Sequence, residues 1–473
     1  MNRVVVTGIG VVSPVGNGRR GFWRGLLGGR SGVGPLTLFD ASTFPVRIGG
    51  EVKGLDAGGL EARFPEARGE RDRKVWLGLA AAEEALADAA LAPGDLRAAA
   101  LHVGVGLEVF FLEDVVRLAD AADPARAAGV LVDGAAEGAT AALFAAVRGV
   151  EGVTVAERRN RGTRLTRRAA APDAAGSPGP GPGRPLRDSR RAVHQLLGVC
   201  GGRHPSRLNL RVPRLRRLQP CVTADDHGCK RRSRGTRELN VDEVALAGAA
   251  DSMLNPLGVG GFGLLRVLSA ENDRPEEACR PFDATRQGTV LGEGAAFVVL
   301  ETLDRACRRR ARVYAEVLGY GCSMDAFRVS DPEPSGRGAV LSMAKALADA
   351  GLRPDAVDCV NAHGTGTPKN DAVETAAIKE VLGERARRIP VHAVKSMTGH
   401  MIAASGAAEA VAAVLTLAER AVPPTINLRT PDPQCDLDYV TDGPRPMTGR
   451  TVLSNSFGFG GQNATLIFGR YDA

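Results

Sequence analysis

At 473 residues, with 44% hydrophobic content and 59 glycines, the chain is long enough for one large or two medium α/β domains around a substantial core. Aromatic content of 4% argues against a base-stacking nucleic-acid platform, and no apolar run approaches the ~20 residues that cross a bilayer. The net charge of +7 is unevenly placed: residues 151–240 hold 21 of the 61 Lys and Arg but 7 of the 54 Asp and Glu, leaving 40 basic against 47 acidic residues elsewhere.

Arg3–Pro14 reads as a buried strand, a glycine turn and a second apolar stretch. Gly8 and Gly10 do not make a dinucleotide fingerprint, because Ser13 stands where the third glycine is needed. Val75, Leu77, Leu79, Ala82 and Leu86 give residues 72–91 one apolar helical face. A strand is expected over Ala98–Gly106. From Glu151 to about Asn240 periodicity dissolves into arginines and the low-complexity run Gly176–Gly183, a composition expected to be largely disordered or poorly packed. Pattern returns with a strand over Val241–Ala250. Further strands are predicted over 295–300, 315–319, 356–361 and 451–455, and helices over 338–350 and 401–420. Eight cysteines (200, 221, 229, 279, 307, 322, 359 and 435) form no CxxC pair or metal spacing, which points to reduced thiols and a cytoplasmic setting.

Three segments carry chemistry. Asn361–Pro368 (Asn-Ala-His-Gly-Thr-Gly-Thr-Pro) and Lys395–His400 (Lys-Ser-Met-Thr-Gly-His) each place a histidine among small and hydroxylated residues at an element end. Neutral imidazoles at His363 and His400 suit donation to a developing enolate oxygen. No third histidine or carboxylate sits at zinc-ligand spacing, so neither a metal nor any other cofactor is expected. Lys395 follows an apolar stretch, and Glu409, early in the next helix, is its expected buried partner. Asp371 and Glu374, one helical turn apart, are placed to join that network. In Asn455–Asn463 (Asn-Ser-Phe-Gly-Phe-Gly-Gly-Gln-Asn), Gly458, Gly460 and Gly461 free the backbone to approach a carbonyl. The loop is a candidate oxyanion donor, with Phe459 a candidate apolar gate. A plain glycine-rich strand turn is the bland alternative.

These segments resemble the β-ketoacyl-acyl carrier protein synthases, elongation type first and bacterial type II polyketide ketosynthases next. The likeness covers residues 1–150 and 241–473 and includes Pro256–Phe262, Arg280–Asp283, Pro423–Leu428 and Cys435–Asp438. It implies an α/β thiolase-like fold of five layers, αβαβα, with two similar halves divided at 257/258. It also implies a dimer, either a homodimer or a ketosynthase heterodimer, and acyl carrier protein as partner. Carried onto matching positions, His363 and His400 assist decarboxylation of malonyl-carrier and hold the enolate oxygen. Thr365 and Thr367 line the malonyl site, Phe459 is the gate whose N–H helps form the oxyanion hole, and Lys395 and Glu409 are the supporting pair.

One family element is missing. The nucleophilic cysteine belongs in a Thr/Ser-Ala-Cys turn at a strand-to-helix junction, where the helix terminus lowers the thiol pKa, and no such string occurs in the chain. Cys221 and Cys200 are the weak candidates, both in arginine-rich sequence. A frame disruption accounts for the block's composition: shifting the possible codons of residues 193–202 by one base permits Tyr-Thr-Asn-Cys-Ser-Ala-Cys-Ala-Ala-Gly, a good nucleophile turn. Two alternatives to an impaired condensing enzyme are a non-condensing, chain-length-factor-like partner and a basic nucleic-acid-binding protein. The first sits poorly with the intact His/His/Lys set, and the second with the lack of any recognised module.

Overall fold

The computed structural model describes residues 3–91, 100–105, 243–328 and 330–472. The arginine-rich block, with its expected disorder, and both Cys200 and Cys221 lie outside the described residues.

Buried β-branched and small residues set the strands. The elements that position the site are β1 (Val4–Ser13), α1 (Gly18–Leu27), α2 (Arg73–Asp88), β2 (Ala100–Val105), β3 (Val244–Ser252), α3 (Pro256–Leu264), β4 (Glu293–Thr302) and β5 (Ala315–Met324). They continue with α4 (Arg337–Ala350), β6 (Cys359–Asn361), α5 (Pro368–Leu382), β7 (Pro390–His392), the single turn α6 (Lys395–Thr398), α7 (Ala403–Ala418), β8 (Asp438–Tyr439), β9 (Thr451–Gly458) and β10 (Gln462–Gly469). Among the described residues the main sheet runs β8-β7-β6-β9-β10-β5-β1-β4-β3-β2, with Gly16–Asn17 folding back on β1.

The sheet repeats one pattern twice. β1 pairs antiparallel with β4, β4 antiparallel with β3, and β3 parallel with β2. β5 pairs antiparallel with β10, β10 antiparallel with β9, and β9 parallel with β6. The groups meet where β1 and β5 begin, in the pairs Val4–Val317, Val5–Glu316 and Val6–Ala315. β4 lies between β1 and β3, so the sequence division at 257/258 falls inside the first group.

Two glycines in each group allow its covering helix to touch the sheet. A Cβ on Gly8 would sit 2.3 Å from the Ala85 carbonyl oxygen, and one on Gly10 1.9 Å from that of Ala81. On Gly319 and Gly321 it would meet the carbonyl oxygens of Ala346 and Ser342 at 2.4 and 2.0 Å. This corrects the expected glycine turn near the N-terminus: Gly8 and Gly10 are inside one continuous strand, left bare so that α2 can pack on it. Strand 356–361 is also shorter than expected, because Pro354–Ala356 forms a 3-10 turn before β6.

Ile9 and Val11 face the opposite side of β1 and join a core with α7, every residue of which from Ala403 to Leu417 is buried. Helix α7 therefore lies inside, between the two strand groups, with α2 and α4 outside them. The α–β–α–β–α layering follows. Among the described residues no helix is long and apolar enough to cross a membrane.

Candidate active site

Short strands end where the chemistry begins. β6 and β7 are parallel neighbours, pairing Asn361 with His392, so the loops that follow them emerge side by side. The first carries His363. The second becomes α6, which opens with Lys395 and is ended by Gly399 at φ +67, immediately before His400. His363 and His400 come together with ring centroids 5.5 Å apart and planes at 85°. Both are buried.

The His363 loop is held from behind by α5. Glu374 accepts the backbone N–H of His363 and of Gly364, each at 2.9 Å, and the side-chain amide of Asn455 at 3.2 Å. Asp371 accepts the N–H of Gly366 at 3.2 Å and of Phe282 at 2.8 Å. Arg286 donates to the carbonyls of Thr367 and Pro368 and to Asp432, tying down the start of α5. Asp371 and Glu374 thus do join the network, acting on the loop backbone rather than on the imidazoles. Thr365 and Thr367 lie together, their hydroxyls 2.9 Å apart.

Lys395 links the parts. Its buried ammonium donates to the His363 carbonyl at 2.7 Å and to His363 Nδ1 at 3.0 Å, and it is paired with Glu409 on the second turn of α7. Because an ammonium can only donate, Nδ1 of His363 must accept, and the ring proton resides on Nε2. His400 reaches the same tautomer by another route: the backbone N–H of Ile402 donates to its Nδ1 at 3.1 Å, and the Ser405 hydroxyl is 3.0 Å from the same atom. Burial first, and then the Lys395 charge, hold both imidazoles well below the usual histidine pKa. Burial pushes the Glu409 carboxyl up, opposed by Lys395. The result is two neutral imidazoles with Nε2–H donors.

The glycine loop is a hairpin turn. β9 runs on through Gly458, and Gly460 and Gly461, at φ +81 and +77, reverse the chain into β10. Gly461 is fixed: its carbonyl accepts the Asp325 N–H at 2.7 Å, and a Cβ there would meet that of Asp325 at 2.7 Å. The ring against His363 is that of Phe457, at 5.7 Å between centroids, whereas Phe459 packs on Phe262 at 5.8 Å. Phe457, Ser405, Ile402 and the role of Asn455 were not singled out in the sequence, although all four lie within or just beyond the three motifs that were.

Residues 1–157 and 239–306 match the family described as Beta-ketoacyl synthase, N-terminal domain, and residues 314–429 match Beta-ketoacyl synthase, C-terminal domain. The chain belongs to the β-ketoacyl synthase family. It is 38% identical to a 3-oxoacyl-[acyl-carrier-protein] synthase 2 of Synechocystis sp., over 99% of this chain and 98% of that protein. Against the granaticin polyketide putative beta-ketoacyl synthase 1 of Streptomyces violaceoruber it is 36% identical, over 99% and 98%. Among solved structures, the ishigamide ketosynthase/chain length factor covers all of both chains with a TM-score of 0.71 at 29% identity. The two β-ketoacyl synthase matches leave residues 158–238 uncovered, nearly the extent of the basic block.

Proposed function

We propose that the site decarboxylates a malonyl thioester carried on acyl carrier protein, the first half of a 3-oxoacyl synthase reaction in fatty acid or polyketide biosynthesis. The observation that carries this is the matched pair of neutral Nε2–H donors at His363 and His400. Loss of the malonyl carboxylate as carbon dioxide leaves its electron pair on the α-carbon, delocalised onto the thioester oxygen. Two donors converging on that oxygen stabilise charge that arises only as the bond breaks. Lys395, paired with Glu409, holds His363 from its Nδ1 side and leaves Nε2–H to donate. Thr365 and Thr367 supply hydroxyls for the malonyl carboxylate, and the Phe459 turn supplies a backbone N–H and an apolar gate. Gly460 and Gly461 let that turn form, and Gly458 ends the strand that leads into it.

In the full family reaction the enolate carbon then attacks the carbonyl of an acyl-cysteine thioester, forming the carbon–carbon bond as the carbon–sulfur bond breaks and the cysteine leaves as thiolate. We infer that this second half is impaired here. No Thr/Ser-Ala-Cys turn exists in the sequence, and both weak candidates, Cys200 and Cys221, fall in the internal gap 158–238 of the N-terminal domain match. Coding DNA that reads a nucleophile turn in the shifted frame across 193–202 supports a frame disruption; stop codons in that frame argue for a genuine insertion. The two strand groups, dividing between β4 and β5, are the proposed halves, assembled as a homodimer or with a ketosynthase partner in the cytoplasm.

The test is incubation with malonyl-loaded carrier protein. Conversion to acetyl-carrier above the protein-free rate supports the reading, and no conversion by the folded protein opposes it. With a labelled acyl-carrier thioester the protein should stay unlabelled; a stable acyl-enzyme at Cys200 or Cys221 would show that the nucleophile survives.

A further inference from the structure

The turn that leads from His400 into α7 is held in an unfavourable shape. Ile402 has φ +47 and ψ −113, a region a β-branched residue rarely enters and which persists only where its surroundings impose it. Its side chain is buried with Val33, Ile48, Met253 and Leu254. The backbone of His400 is fixed on the other side, donating to the Val290 carbonyl at 2.7 Å and accepting from Gly292 at 2.9 Å.

Two consecutive N–H groups leave this turn. That of Ile402 donates to His400 Nδ1 at 3.1 Å, and that of Ala403 to Asp251 Oδ2 at 3.0 Å. Asp251 comes from β3, in the other strand group and 152 residues away. It is fully buried, and its Oδ1 has no hydrogen-bond partner among the described residues. Burial pushes its carboxyl up to about 6, opposed by the Ala403 N–H and by Lys74, with Asp72 reinforcing the rise. A buried carboxylate with one oxygen on a helix N-terminus is well placed to hold that end of the helix. Here the held N–H is one peptide beyond the N–H that sets the tautomer of His400.

We propose that Asp251 is a positioning residue for His400: by anchoring the Ala403 N–H it maintains the strained Ile402 peptide, whose own N–H keeps Nδ1 of His400 as acceptor and Nε2–H as donor. The inference rests on the proposed role of His400 for its catalytic meaning, but not for its geometry. Asp251 touches no reacting atom and acts only through the turn.

The test is nitrogen-15 NMR of ring-labelled histidine in the full-length protein, with His400 assigned by its loss in His400→Gln. Wild type should show a single Nε2–H tautomer for His400 at pH 8. Asp251→Ala should move both ring nitrogens toward the averaged shifts of a tautomer mixture, and Asp251→Asn, which keeps a carbonyl acceptor for Ala403, should retain the wild-type pattern. Malonyl decarboxylation should fall about tenfold to a hundredfold in kcat in Asp251→Ala, by analogy with the outer partners that orient metal-bound histidines, with KM little changed and rescue in Asp251→Asn. Folded Asp251→Ala with unchanged His400 shifts overturns the proposal. If that variant does not fold, wild type decides: on lowering pH from 8 to 5, the Ala403 and Ile402 amide signals should move together with one midpoint, and an Ile402 amide that stays still while Ala403 moves overturns it. A shifted tautomer in Asp251→Ala with full decarboxylation in His400→Gln would support the positioning and defeat the catalytic reading instead.

Discussion

Lys395 Nζ lies 3.0 Å from Nδ1 of His363 and 2.7 Å from that residue's own carbonyl oxygen. One ammonium thus sets both the tautomer of the imidazole and the path of the loop that carries it. The same charge, added to burial, keeps His363 and His400 neutral.

A pH profile follows. Both folded-state pKa values lie well below 6.5, so neither imidazole gains a proton near neutrality. Neither ring should show imidazolium shifts in nitrogen-15 NMR between about pH 8 and the ordinary histidine value of about 6.5. An imidazolium midpoint near that value in either ring would mean that the histidine titrates as if in water.

The Lys395–Glu409 pair should be far more sensitive to losing one member than both. Lys395→Met leaves the Glu409 carboxyl buried without its counter-charge, an expected loss of about 3–5 kcal/mol, whereas Lys395→Met with Glu409→Leu should lose much less. Urea unfolding measures both. Equal losses would show that the pair is not coupled as the contacts indicate.

His392 is buried with neither ring nitrogen partnered among the described residues, and burial lowers its pKa to about 3. The unfolded chain therefore takes up a proton near 6.5 that the folded state refuses, and stability is lost as pH falls through that window. His392→Leu removes this dependence. The variant should gain on wild type by about 1.4 kcal/mol per pH unit below 6.5, down to about 3. Parallel stability curves for the two proteins would contradict it.

The bare glycines should be as demanding in one strand group as in the other. Gly10→Ala puts a Cβ 1.9 Å from the Ala81 oxygen and Gly321→Ala one 2.0 Å from that of Ser342, while Cβ atoms on Gly34 and Gly58 meet nothing within 4 Å. The first two should destabilise by about 1–3 kcal/mol or more, and Gly34→Ala and Gly58→Ala should be near neutral. Thermal unfolding of the four variants decides it.

Much of this was legible in the sequence because the informative residues are contiguous. His363 with its threonines, Lys395 with His400, and the Phe459 turn are each carried on one short string, and Glu409 follows within a helix whose small residues announce burial. The sequence is silent where the partner is distant. Nothing local marks Asp251 as the acceptor for Ala403, or Glu374 as the acceptor for two peptides of the His363 loop, since each pairing exists only once β3 and α5 are in place. The opening glycines misled because a turn and a close helix–strand contact both select residues without a Cβ; the repetition of the same device at Gly319 and Gly321 distinguishes them. Phe457 and Phe459 differ only by the two-residue step of the strand end, and composition cannot say which ring meets His363.

On the proposed reading His363 and His400 are paired donors to one enolate oxygen. The decisive experiment is the single-turnover rate of malonyl-carrier decarboxylation in His363→Ala and His400→Ala, with folding checked by circular dichroism. Each variant should lose about a hundredfold to a thousandfold, the effect of removing one donor from an oxyanion site. Near-normal turnover in either folded variant would contradict the account.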